Sequence, residues 1–146
     1  MSCEHNEKKL EKLSFWCGSY FKTGELITLK NRRGSLLLDC YLFPKINETG
    51  TIPHFNAEWT RARSDRWLTR IKETHFELWK DKYWADVCDG EQWRLCFKFE
   101  GENEKVVTGS NAYPENWPQF IELMTTIARK LPRVENAEIK DAIGLL

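Results

Sequence analysis

The stretch WKDKYWADVCDGEQWRLCFKFEGENEKVVTGSNAYPENWPQF, residues 79–120, decides the fold. Inside it Trp93, Leu95, Phe97 and Phe99 alternate with Gln92, Arg94, Cys96 and Lys98. A period of two with one apolar and one wet face predicts a half-buried strand. Cys88-Asp89-Gly90 reads as the turn into that strand and Gly101-Glu102-Asn103 as the turn out of it, with residues 104–108 pairing back. Asn116 is placed to cap a helix, Pro118 fits its first turn and Gln119 holds the capping-box position. Phe120, Leu123, Met124, Ile127, Ala128 and Leu131 then recur at helical spacing, and Pro132 ends the helix.

Upstream, residues 12–21 put Leu13, Phe15, Cys17 and Phe21 on one parity and Trp16 and Tyr20 on the other, a strand apolar on both faces. Lys22-Thr23-Gly24 turns into a second strand over 25–30. Asn31-Arg32-Arg33-Gly34 is a hairpin turn, and residues 35–43 form a third strand that Pro44 stops. Residues 44–56 read as a loop. From Asn56, a candidate cap, the pattern turns helical, with a break at Ser64-Asp65 that caps a longer helix. Trp67, Leu68, Ile71, His75 and Leu78 form its stripe, with Phe76, Trp79 and Tyr83 beside it, so the helix is expected to end near Tyr83. Residues 1–9 are polar and expected to fray, and residues 133–146 are expected as a tail or short helix. The expectation is one α+β domain over residues 1–146. Its antiparallel sheet has about five strands, an N-terminal three-stranded meander plus a C-terminal hairpin, with two main helices packed on one face.

Twenty-two basic residues balance 22 acidic ones. Zero net charge argues against a duplex nucleic-acid binder that relies on a broad cationic field. Seven Trp within an aromatic content of 13% supply large buried area for a domain of this size. The five Cys include no C-x-x-C pair, the first residues lack a signal-peptide core, and no apolar run nears the ~18 residues of a membrane span. A cytoplasmic protein with reduced thiols is expected, and the sequon at Asn47-Glu48-Thr49 is then chance.

No phosphate loop and no G-x-S-x-G elbow is present. His5, His54 and His75 are scattered; His54, beside Pro53 and Phe55, is the one to test for reactivity. Asp86, Asp89 and Glu91 cluster on a turn, where Asp39 and Asn111 are possible further donors to a metal. Asp89 before Gly90 is better explained by its side chain bonding nearby amides. Cys88 and Cys96 are expected as inert thiols. No catalytic residue, metal or cofactor is expected. Trp79, Trp93 and Trp117 read as packing between helix and sheet, whereas Trp84 falls past the predicted helix end. Arg61, Arg63, Arg66 and Arg70 interleave with Trp59 and Trp67, and Arg63, Arg66 and Arg70 share one helix face. These observations favour a non-enzymatic binding module whose partner-binding residues are Arg63, Arg66, Arg70, Trp84 and Tyr113. The expected partner is another protein, without membrane contact; oligomeric state stays open. Two rival readings are nucleic-acid binding through residues 61–70 and a metal-assisted hydrolase or nuclease using Asp86 and Asp89.

The order W-x-x-x-Y, D-G-x-x-W-x-L, G-x-N-x-Y-P-x-x-W-x-x-F resembles a group of small bacterial domains. It is carried here by Trp79, Tyr83, Asp89, Gly90, Trp93, Leu95, Gly109, Asn111, Tyr113, Pro114, Trp117 and Phe120. The resemblance implies a bacterial or mobile-element origin and a sheet-and-helix fold. It brings no catalytic residue, and a small accessory, regulatory or inhibitor protein is the expectation.

Overall fold

The computed structural model describes residues 8–19, 22–43, 52–86 and 90–134. The alternation around Trp93 becomes strand β6 (Glu91–Phe99), with Trp93, Leu95, Phe97 and Phe99 buried on one face. It joins a mixed eight-stranded sheet with β1 (Leu10–Ser19), β2 (Lys22–Arg32), β3 (Ser35–Phe43), β4 (His54–Glu58), β5 (Lys82–Trp84), β7 (Lys105–Ser110) and β8 (Arg133–Val134). The strand order is β5-β7-β6-β1-β2-β3-β4-β8. Every neighbouring pair is antiparallel except β5 with β7, which run parallel.

One face of the sheet carries the main core. A register shift between Leu10 and Lys12 lets both Leu10 and Leu13 point inward. Helices α1 (Arg61–Lys72) and α2 (Trp117–Arg129) cover this face with Trp67, Ile71, Phe120, Met124 and Ile127. Full burial of one such side chain contributes about 1.5–3 kcal/mol. A smaller cluster of Leu26, Tyr41 and Ile52, with Trp16 and Phe43 against it, lies on the second face. The Trp16 indole lies over Gly18 and Gly24, where an added Cβ would meet its ring at 3.0 and 3.1 Å.

Several sequence expectations are corrected. The α+β class with two main helices holds, but among the described residues the sheet has eight strands rather than about five, and the β5–β7 pair makes it mixed. Residues 54–56, expected as the end of a loop, and 57–58, expected as the start of a helix, instead form β4, because β3 on one side and β8 on the other supply its ladders. Asn56 caps nothing; its Nδ2 donates to Leu38 O at 3.1 Å and to Asp39 Oδ1 at 2.9 Å. Thr60 is the cap, its Oγ1 accepting from Arg63 N at 3.3 Å. Ser64 does not start a helix. It is buried in the first turn of α1, where its Oγ accepts from Leu36 N at 2.9 Å and donates to Trp59 O at 3.3 Å.

The helix also stops at Lys72, well before Tyr83. Thr74 Oγ1 donates to Ile71 O at 2.6 Å, and His75 turns left-handed at φ 54°. His75 is therefore exposed instead of lying on an apolar stripe. A single turn at Phe76–Leu78 and then β5 carry the aromatics the periodicity had placed on a helix. Asn116 precedes α2 without capping it. Its Oδ1 accepts from Trp79 Nε1 at 2.7 Å and its Nδ2 donates to Thr74 O, so the amide ties this linker to α2. Of residues 1–9, expected to fray, 1–7 lie outside the described residues, while Lys8 pairs with Glu102 and Lys9 O accepts from Glu100 N at 2.8 Å; of the C-terminal tail, 135–146 lie outside and 133–134 form β8.

Candidate functional site

The signature residues first make a joint. Trp93 donates from Nε1 to Ala112 O at 3.0 Å, and its ring centroid lies 4.6 Å from that of Trp117, 5.8 Å from Trp79 and 5.9 Å from Tyr83. Two glycines admit this packing. A Cβ on Gly109 would stand 2.0 Å from the Trp93 indole, and one on Gly90 would stand 1.8 Å from Asn111 Oδ1. Asn111 adopts φ 55° and accepts from Glu91 N at 2.9 Å through that same oxygen. Asn111 thus holds a tight left-handed turn.

Tyr113 projects from the loop between β7 and α2 and is 40% exposed. Its OH donates to Glu91 Oε1 at 3.0 Å, and its ring lies 4.9 Å from Trp117. Partial desolvation and the Glu91 carboxylate push the phenol up to about 12. Trp84, on edge strand β5, is 77% exposed. It pairs with Ser110 and so faces away from the core, opposite to its neighbour Tyr83.

The arginines form a more coherent surface. On α1, the Arg63 guanidinium carbon lies 4.2 Å from the Trp59 ring centroid and that of Arg70 lies 4.6 Å from Trp67. Lys130, just past α2, adds its Nζ at 5.7 Å from the same Trp67 ring. Arg66 is exposed, and no acidic residue occupies the first turn of α1. Arg61 is turned to the β2–β3 hairpin, where Nε donates to Arg33 O at 3.0 Å. Indole faces attract guanidinium groups and hold their long side chains in place. Beyond Arg70 a groove between α1 and α2 carries Glu73 and Glu122, which bound the basic surface.

The five expected partner-binding residues are thus not one site. Arg63, Arg66 and Arg70 share α1, which covers the core face. Trp84 points to the second face at the sheet edge five positions from β3, about 24 Å away at ~4.8 Å per strand. Sequence reading missed Lys130, which reaches Trp67 only because α2 packs beside α1.

Asp86 follows β5 and is exposed, while Asp89 and Cys88 lie outside the described residues. Asp39 is far from Asp86, on β3, where Oδ1 accepts from His54 Nε2 at 2.8 Å. The His54 ring stacks on Tyr41 with centroids 4.2 Å apart. Among the described residues no group of three His, Cys, Asp or Glu side chains is arranged to hold a metal. Burial, then Glu91 and Glu25, push the Cys17 thiol up to about 12; burial, then Glu25 and Asp39, do the same to Cys40. Neither is an activated nucleophile. No helix among the described residues is long and apolar enough to cross a membrane. The chain matches no protein-family model and no curated protein sequence.

Proposed function

We propose that the chain is a non-enzymatic binding module that engages an acidic surface of another protein through Arg63, Arg66 and Arg70. The role fits a small accessory or inhibitory protein of bacterial or mobile-element origin. The observation that carries the reading is the stacking of Arg63 on Trp59 and Arg70 on Trp67. Guanidinium groups already held on buried indoles lose little side-chain freedom when they meet carboxylates. Lys130 extends the surface across the second helix. Trp84, on the second face, and Tyr113, packed against Trp117 on the core-face side, lie apart from this surface and from each other.

The test is titration of fluorescently labelled poly-glutamate and a labelled DNA duplex against the wild type, Arg66→Glu and the Arg63→Ala/Arg70→Ala pair. Saturable poly-glutamate binding, weakened about tenfold or more by either variant, supports the reading. Equal binding by all three proteins refutes it. Tighter binding of the duplex, with a steep salt dependence abolished in the variants, supports nucleic-acid binding through the same arginines instead. A metal-dependent thermal shift, lost in Asp89→Ala while the fold persists, is the outcome that favours the hydrolase reading.

A further inference from the structure

Strands β6, β1 and β2 are neighbours, so their second-face side chains fall into cross-strand rows. One row is Lys98, Lys12 and Lys30, each directly opposite the next. Like charges directly opposite one another destabilise a sheet. Lys98 Nζ is offset by Glu11 at 2.7 Å and Lys12 Nζ by Glu104 at 3.0 Å, whereas Lys30 has no ion-pair partner among the described residues. In the adjoining row Cys96, Ser14 and Thr28 stand side by side, and Arg94 comes next on the Cys96 strand face. A cavity of ≈200 Å³ opens over these rows, with Lys12, Lys30, Arg94, Ser14, Thr28 and Glu104 among its walls.

We infer that this cavity is a binding site for a small phosphate-bearing molecule. Three cations and one carboxylate line it, so its own charge balance is positive. Ser14 and Thr28 carry hydroxyl donors suited to phosphoryl oxygens, and ammonium and guanidinium donors form the stronger, charge-assisted bonds. Burial and Glu104 push the Cys96 thiol up while Arg94 and Lys12 pull it down; the balance is upward. The sulfur therefore stays neutral beside an arriving anion. At about 30 Å³ per liquid water the space equals about seven waters, enough for one phosphoryl group and a short organic remainder. A dianion also relieves the repulsion within the lysine row.

The experiment is a titration of the full chain with inorganic phosphate at constant ionic strength, chloride being exchanged out, with amide chemical shifts read by NMR. Saturable shifts confined to Ser14, Thr28, Lys30, Arg94 and Cys96 support the site when Lys30→Glu weakens them tenfold or more. Lys30→Glu places an opposite charge beside Lys12, so its melting temperature should match or exceed that of the wild type; that keeps loss of binding distinct from loss of fold. Absence of saturable shifts, or equal shifts in Lys30→Glu, overturns the inference. So does a short single-stranded oligonucleotide that perturbs the same amides at concentrations a hundredfold below phosphate.

Discussion

Gly109→Ala tests the joint on which the signature rests. The added Cβ would lie 2.0 Å from both Nε1 and Cε2 of Trp93 and 2.5 Å from Cζ2. Trp93 is 1% exposed and is hemmed by Trp79, Tyr83 and Trp117, so its ring has nowhere open to go. Overpacking a core costs about 1–3 kcal/mol. Pulling the indole from Ala112 O leaves a buried donor unpaired, a further ~1–3 kcal/mol. The two together predict a loss of about 4 kcal/mol, a large share of the 5–15 kcal/mol typical of a domain. For a chain of this length that lowers Tm by about 10–15 °C. Urea unfolding followed by far-UV circular dichroism measures it. A double-mutant cycle adds specificity: Trp93→Phe removes the atoms the Cβ would strike, so Gly109→Ala should cost at least ~1.5 kcal/mol less in that background. A loss under about 1 kcal/mol in the wild type, or strict additivity in the cycle, refutes the steric argument.

Asn116→Ala removes both side-chain bonds to the Thr74–Trp79 linker and should cost about 2–3 kcal/mol by chemical denaturation. Thr60→Ala deletes the cap of α1 and should cost about 1 kcal/mol in the same assay. Arg66→Glu and Trp84→Ala alter exposed side chains, so each should stay within about 0.5 kcal/mol of wild type in denaturation whatever it does to binding. The Cys17 thiol is raised from its ordinary 9.0 to about 12 in the folded chain, so the unfolded chain gives up this proton first. Its contribution is fully present below pH 9 and is lost as pH rises toward 12. Between those limits Cys17→Ala should lose less stability per pH unit than wild type, read from urea midpoints.

The parts legible in the sequence are those fixed by local periodicity. The third strand, 35–43, and the buried set from Trp93 to Phe99 follow from alternation, and α2 follows from its stripe. The misread parts depend on distant partners. β4 is five residues long and gains its identity from β3 and β8, while β5 has only three residues and pairs with a strand more than twenty positions later. Phe76, Trp79 and Tyr83 are spaced like a helix because they must reach the same core, a demand that a turn and a strand also meet. Among site residues, the arginines were legible because their spacing is helical. The lysine row was not, since Lys98, Lys12 and Lys30 become neighbours only once three strands are in register.

The Asn116 amide bridges positions 42 and 37 residues upstream, Thr74 and Trp79. The segment leading into β5 is therefore anchored by a helix synthesised later, and among the described residues β5 itself pairs only with β7. Edge strand and linker should open together as one cooperative unit whenever α2 lifts, with amide hydrogen exchange at Thr74–Trp84 tracking that of Phe120 and Met124. Proteolytic nicking near Lys80 would then report undocking of the distant helix, a coupling that no single strand or helix of the chain possesses by itself.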